Sequence, residues 1–138
     1  VPRGWLKSTP QHWREMVLTN VLGAAYTVRA AMPALIKSKG HVLISGSAAG
    51  RRCIAGSLYS VTKWAVTAMG ESIRADLHGT GVRTTVIEPG GTETPIFDRQ
   101  LAGRLEADDV ARAVMYAISQ PPHVNVNEIL MRPTAQEH

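Results

Sequence analysis

A tyrosine and a lysine four residues apart form the first pair in this sequence that could carry out chemistry. Tyr59 and Lys63 stand in the segment Tyr-Ser-Val-Thr-Lys, and on a helix that spacing places both side chains on one face. An ammonium group beside a phenol stabilises the phenolate, which favours a general acid/base that works near neutral pH. The pair alone is a weak signal, because a chain with three tyrosines and four lysines contains this spacing by chance fairly often. The ordinary alternative is an aromatic–aliphatic contact on a helix surface.

Two further polar residues stand where they could assist such a group. Ser47 precedes Tyr59 by twelve residues, in the small-residue segment 46–50 that follows an apolar stretch. A hydroxyl there could hydrogen-bond a substrate carbonyl oxygen and the oxyanion that develops from it, although serine is also common in turns. Asn20 lies within a helical pattern, where asparagine is a poor helix former. It is either partly buried with a polar partner or simply exposed.

The elements that must position these residues can be read from apolar periodicity. A helical pattern runs from Trp13 to about Lys37, with Thr9 as a suitable N-cap and Pro10 as a suitable first helical residue. Pro33 is expected to kink or loosen its last turns. The short apolar segment His41–Ser45 predicts a strand that is buried on both faces.

The remaining elements continue the alternation of helix and strand. The sequence predicts a helix at 57–77, a strand at 82–88, a short helix around Phe97, a helix from Asp108 to about Ser119 and a strand at 124–131. This order predicts a parallel α/β sheet with right-handed crossovers. Ligands of such sheets bind beyond the carboxyl ends of the strands, which are here the segments 45–47 and 88–90.

Composition limits the class of protein. The 138 residues are 44% apolar and 19% charged, which is typical of one ordinary globular domain and argues against disorder. No apolar run reaches the roughly 18 residues of a membrane span, so we expect no membrane association. Cys53 is the only cysteine and no secretory leader is evident, so a reducing cytoplasm is the expected location. The chain begins with Val1, and we therefore expect it to be a piece of a longer protein.

The charge pattern disfavours several partners and reactions. The net charge is +4, and eleven of the fifteen cations are arginines scattered along the chain. Nucleic-acid binding would need clustering, whereas a mild positive field suits a phosphorylated cofactor, or reflects only a solvated surface. The five histidines lack the spacing of metal ligands. A serine hydrolase using Ser47 and His123 is also disfavoured, because Ser47 is not in a G-x-S-x-G motif.

Taken together, the motifs resemble the C-terminal half of a short-chain dehydrogenase/reductase. The resemblance rests on the segments 19–23, 29–33, 42–50, 59–63, 88–94 and 124–134, and covers nearly all of residues 8–135. It implies an α/β fold: the last three strands and their helices from a doubly wound, Rossmann-type parallel sheet. Residues 1–138 would then form a single partial domain. Gly46 and Thr92 replace residue types that are more frequent in the family.

The resemblance also implies a role for each polar residue. Tyr59 would exchange a proton with the substrate oxygen, Lys63 would assist it and hold the nicotinamide ribose, and Ser47 would orient the substrate oxygen. Asn20 would hold a water molecule that links Lys63 to solvent. The implied cofactor contacts are Tyr59, Lys63, Pro89, Gly90, Thr92 and Thr94. Candidates for the substrate rim are Arg51, Arg52, Ile96 and Phe97, although ordinary loop residues are more common at such positions.

The implied activity is oxidation or reduction of a small alcohol or hydroxy acid with NADP or NAD, and the last strand resembles a branch that favours NADP. The Gly-rich turn of a dinucleotide site does not occur in the given sequence. We therefore expect β-strand 42–45 to be an edge and this polypeptide alone to bind nicotinamide cofactors poorly. The alternative is a catalytically incompetent fragment that keeps only the oligomerisation helices. In the family the helices at 10–38 and 57–78 build a dimer core, so we expect a homodimer or homotetramer.

Overall fold

The structure is a computed structural model and describes residues 4–94 and 103–136. It contains helices α1 (Pro10–Val17), α2 (Ala24–Ser38), α3 (Leu58–Asp76) and α4 (Ala107–Ile118), and strands β1 (His41–Ser45), β2 (Arg83–Pro89) and β3 (Glu128–Met131). The short helix expected around Phe97 lies outside the described residues. None of the helices in the described ranges is long and apolar enough to span a bilayer.

The three strands form one parallel sheet in the order β1-β2-β3. The register places Ile44 beside Val86 on the β1–β2 side and Ile87 beside Ile129 on the β2–β3 side. The predicted α/β fold with the last three strands of a parallel sheet is therefore confirmed. β1 lies at an edge of this sheet, as expected from the sequence.

Helices cover both faces of the sheet. Val86 packs toward α3, where a Cβ at Gly70 would meet its Cγ2 atom. Arg83 lies three residues earlier on the same strand and donates to the carbonyls of Ala117 and Ile118 at the end of α4. Because successive side chains of a strand point to opposite faces, α3 and α4 lie on opposite sides. The buried apolar cluster on the α3 side consists of Val42, Ile44, Val66, Leu77 and Val86.

The first helical region starts as predicted but is not uniform. Thr9 caps α1 by accepting a hydrogen bond from the His12 amide at 3.2 Å, and Pro10 is the first helical residue. The segment Leu18–Gly23, which contains Asn20, is π-helical. The helix then continues through Pro33 to Ser38. The departure from α-helical geometry therefore lies around Asn20, and π-helical turns are frequent at functional sites.

The last strand is shorter than the predicted 124–131. Residues 124–127 are not part of the strand, because the Asn125 side chain takes the place of a backbone partner. Its Oδ1 accepts from the Thr84 amide at 2.7 Å and its Nδ2 donates to the Thr84 carbonyl at 2.9 Å. The regular ladder therefore starts only at Glu128.

His41 is held as a neutral imidazole at the start of β1. The Thr85 hydroxyl donates its hydrogen to the Val126 carbonyl at 2.6 Å, so it accepts from His41 Nε2, which lies 2.7 Å away. The other ring nitrogen, Nδ1, is buried and has no hydrogen-bond partner among the described residues. Burial and, secondarily, the Arg83 charge lower the pKa of His41 below its ordinary value of 6.5.

The protein is therefore expected to lose stability as the pH falls below 6.5, the ordinary histidine pKa. The unfolded chain binds the proton at that pKa, whereas the folded chain resists it, so protonation favours unfolding. The free energy of unfolding, measured by urea denaturation at a series of pH values, should decrease through this range. His41→Gln should flatten the decrease, and His78→Gln, at an exposed histidine, should not. An equal decrease in the wild type and in His41→Gln would contradict this assignment.

Candidate active site

Tyr59 and Lys63 lie in the first two turns of α3, which begins there because Ser57 caps it. The Ser57 hydroxyl accepts from the Ser60 amide at 3.2 Å. Lys63 Nζ lies 5.7 Å from the centroid of the Tyr59 ring and donates to the Ser45 carbonyl at 3.1 Å. The ammonium group is thus fixed between the carboxyl end of β1 and the tyrosine ring.

Partial burial changes the electrostatics of this lysine. Burial lowers the pKa of Lys63 from its ordinary value of 10.5, because desolvation disfavours the charged form. A partly desolvated ammonium gains more from a nearby negative charge than a fully hydrated one does. A phenolate on Tyr59 would supply that charge, so the arrangement suits a tyrosine that gives up its proton during a reaction.

Ser47 starts the short 3-10 turn Ala48–Arg51 that follows β1. Its hydroxyl oxygen accepts from the Ala49 amide at 3.1 Å, which leaves its hydrogen free to be donated. This turn packs directly on α3, since a Cβ at Gly50 would lie only 2.6 Å from the Lys63 carbonyl oxygen. The close approach that only glycine permits therefore holds the Ser47 turn against the helix of Tyr59.

Asn20 faces the same helix from the π-helical segment. Its Nδ2 donates to Thr62 Oγ1 at 3.1 Å, and that hydroxyl donates to the Tyr59 carbonyl at 2.8 Å. Asn20, Ser45 and Lys63 also line one cavity of about 340 Å³. The structure therefore brings Asn20 and Lys63 to a shared cavity, while the water relay between them stays a prediction.

The segment after β2 carries the other expected cofactor contacts. The backbone continues past Pro89, and the Gly90 amide donates to the Met131 carbonyl at 2.7 Å. Thr92 Oγ1 donates to the Gly90 carbonyl at 3.2 Å. Thr94 Oγ1 is buried and has no hydrogen-bond partner within residues 4–94 and 103–136. Buried hydroxyls are normally paired, so Thr94 fits a residue that a bound nicotinamide would satisfy.

Gln136 is a residue that the sequence analysis did not find. Its Oε1 accepts a hydrogen bond from the Gly91 amide at 2.8 Å. This bond connects the C-terminal segment to the loop after β2. A Cβ at Gly90 would lie 2.4 Å from the same oxygen, so a larger residue there would have to displace the Gln136 side chain. No local pattern could reveal this contact, because the two residues are 45 positions apart.

The structure adds detail to two residues that the sequence analysis singled out. The rim candidate Arg51 pairs through its Nε with the buried Glu88 carboxylate at 2.7 Å, so its side chain is held toward β2. Gly46 replaces a bulkier family residue for a steric reason, since a Cβ there would lie 2.9 Å from Glu88 Cγ and from Val86 Cγ1. Of the other rim candidates, Arg52 is exposed, and Ile96 and Phe97 lie outside the described residues.

The chain is similar to curated and solved proteins. An uncharacterized oxidoreductase of Staphylococcus aureus strain MW2 is 40% identical over 126 residues, which are 88% of this chain and 54% of that protein. A serine dehydrogenase from Escherichia coli is 35% identical with a TM-score of 0.87, over 99% of this chain and 60% of that one. The closed form of serine dehydrogenase complexed with NADP+ is 31% identical with a TM-score of 0.89, over 99% and 61% of the two chains.

A third solved neighbour is the alcohol dehydrogenase from the archaeon Thermococcus sibiricus complexed with 5-hydroxy-NADP. It is 25% identical with a TM-score of 0.88, over 99% of this chain and 60% of that one. The chain thus spans between half and two thirds of the length of these proteins. The family model described as short chain dehydrogenase matches residues 3–104, which is most of the chain and includes Asn20, Ser47, Tyr59 and Lys63. The chain therefore belongs to the short-chain dehydrogenase family.

Proposed function

We propose that this protein is an NAD(P)-dependent oxidoreductase that interconverts a small alcohol or hydroxy acid and its carbonyl form. The observation that carries the proposal is the Lys63 ammonium, held 5.7 Å from the centroid of the Tyr59 ring and hydrogen-bonded to the Ser45 carbonyl. The Ser47 turn packs against the same helix. This combination supplies a proton donor, a charge that stabilises its anion and a hydroxyl that can orient a carbonyl oxygen.

Each side chain has a defined part in the proposed reaction. When bound, the nicotinamide cofactor supplies a hydride in reduction and accepts one in oxidation. In reduction, Tyr59 transfers its hydroxyl proton to the substrate carbonyl oxygen, which becomes the alcohol. The phenolate that remains is stabilised by the Lys63 ammonium. It regains its proton from solvent through a water molecule that Asn20 would hold and that links Lys63 to solvent. Ser47 donates a hydrogen bond to the substrate oxygen throughout. Oxidation of the alcohol runs the same proton transfers in reverse.

The cofactor assignment rests on the chain's own residues and on its relatives. Lys63, Pro89, Gly90, Thr92 and Thr94 would hold the nicotinamide half. The buried Thr94 hydroxyl, which has no hydrogen-bond partner among the described residues, is a suitable partner for a carboxamide. Two of the similar structures contain NADP+ or 5-hydroxy-NADP, which favours NADP slightly over NAD. The names of these neighbours, serine dehydrogenase and alcohol dehydrogenase, support a small substrate that carries a hydroxyl group.

The test is oxidoreductase activity of the purified protein at its natural full length, because the given residues alone are expected to bind nicotinamide cofactors poorly. The substrate panel contains short hydroxy acids, simple alcohols and their carbonyl counterparts. We expect NADPH to be oxidised with at least one carbonyl compound, and we expect slower oxidation when NADH replaces NADPH. The absence of turnover with every compound, in a protein that is folded and binds NADPH, would contradict the proposal.

The second candidate is a catalytically incompetent fragment that retains only the oligomerisation helices. Its oligomerisation part is favoured by the large apolar side chains exposed on α1, the π-helical turn, α2 and α3, which are Val17, Leu18, Leu22, Tyr26, Ile36, Val61 and Trp64. We propose that a homodimer or homotetramer forms through the helices at 10–38 and 57–78. Analytical ultracentrifugation combined with NADPH titration separates the candidates. A folded, self-associating protein that does not bind NADPH would favour the second.

A further inference from the structure

A fully buried carboxylate lies beneath the proposed active site. Glu88 is 0% exposed, close to the C-terminal end of β2. Its Oε1 accepts from the Thr67 hydroxyl at 2.6 Å and its Oε2 accepts from Arg51 Nε at 2.7 Å. Arg51 in turn pairs with Glu128 on β3. The proposed reaction uses none of these groups, and a buried charge that is not needed is costly.

Each member of this network lies next to an element of the site. Arg51 follows Ser47 by four residues in the same turn, and Glu88 directly precedes Pro89. Thr67 follows Lys63 by four residues, which is about one turn along α3. One carboxylate therefore connects the Ser47 turn, α3 and the segment after β2 that would hold the nicotinamide.

The packing around Glu88 leaves little freedom. The Gly46 amide donates to the Ile87 carbonyl at 2.7 Å, which ties the end of β1 to β2. A Cβ at Gly46 would lie 2.9 Å from Glu88 Cγ. The Ser60 hydroxyl contacts the Ala49 and Arg52 carbonyls at 2.7 Å and fixes the other side of the serine turn on α3. The hydrogen bonds to the two Glu88 oxygens thus fix the orientation of the Ser47 turn relative to α3.

We infer that Glu88 is a positioning residue, whose carboxylate fixes the Ser47 turn and the segment after β2 against α3. Replacing a buried ion pair by apolar groups often leaves stability unchanged, so general stability does not account for a charge at this place. Directional hydrogen bonds to two separate elements do account for it. The consequence for catalysis rests on the proposed function, whereas the consequence for local structure does not.

The experiment compares Glu88→Gln with the wild type by amide hydrogen exchange followed by NMR. Glutamine keeps the shape of the side chain but loses the charge-assisted bond from Arg51. Exchange of the Gly46, Gly50 and Gly90 amides is expected to accelerate about tenfold or more, while the amides of α4 change little. Glu128→Gln is the matched control, because Glu128 also pairs with Arg51 but its side chain is 39% exposed. It should not change the exchange of those three amides.

A milder variant guards against misfolding. Thr67→Val removes the hydroxyl contacts to Glu88 at 2.6 Å and to the Lys63 carbonyl at 3.2 Å but keeps the Arg51–Glu88 bond. It is expected to accelerate the same amides to a smaller extent. Unchanged exchange in Glu88→Gln, or an equal acceleration over the whole chain, would overturn the inference. Where the wild type shows oxidoreductase activity, Glu88→Gln should lower kcat about tenfold or more relative to Glu128→Gln. Equal kcat values for these two variants would overturn the catalytic part, and wild-type inactivity would count against the proposed function alone.

Discussion

Tyr59→Phe in the full-length protein is expected to lower kcat for carbonyl reduction by about a thousandfold. The substitution removes only the hydroxyl group, so the proton that the substrate oxygen needs must come from water. The aromatic ring remains beside Lys63, whose Nζ lies 5.7 Å from its centroid. The dissociation constant of NADPH, measured by fluorescence titration, should therefore change little. A large loss of kcat with a preserved cofactor affinity is the combination that a general acid predicts.

The matched control is Tyr116→Phe, which removes the same atom from an exposed tyrosine on α4. It should leave kcat unchanged on the substrate used for Tyr59→Phe. Retained turnover in Tyr59→Phe would contradict the role given to Tyr59. An equal loss of turnover in both variants would show that the assay reports general damage to the protein instead of the loss of one proton donor.

The elements that the sequence predicts well are those whose signal is local. β1 is a short apolar segment between polar neighbours, and α3 has both a serine cap and helical periodicity. The Tyr59–Lys63 pair needs only the helix to come together, since four residues of helix suffice. The order of motifs along the chain then identifies the family from the sequence. Fold and central pair are therefore accessible without a structure.

The features that the sequence does not predict depend on distant partners. Val124–Asn127 has a strand-like composition, but the Asn125 side chain replaces the ladder by binding Thr84, 41 residues away. The π-helical turn contains Asn20, which binds a residue 42 positions along the chain. In the sequence, Glu88 cannot be distinguished from any other glutamate at the end of a strand. Only the folded chain brings Arg51 to it. Side chains that bind across the fold leave no periodic signal.

Gly70→Ala is expected to lower the free energy of unfolding by about 1–3 kcal/mol. A Cβ at this position would lie 2.2 Å from Val86 Cγ2, which is far closer than two carbon atoms can approach. Val86 is 1% exposed in the central strand, so neither the methyl group nor the strand can move away freely. The clash should outweigh the roughly 1 kcal/mol by which alanine favours a helix over glycine. Urea denaturation followed by circular dichroism measures the loss.

Two controls separate this steric explanation from a general effect of the substitution. Gly23→Ala makes the same change where the nearest atom, the Leu18 carbonyl oxygen, lies 3.4 Å away, and it should not destabilise the protein. Val86→Ala removes the methyl groups that Gly70→Ala would strike. In that background Gly70→Ala should cost almost nothing, because the two residues share one contact. An equal loss of unfolding free energy in both backgrounds would show that the clash with Val86 is not the cause. The close packing of α3 on β2 would then not depend on a glycine at position 70.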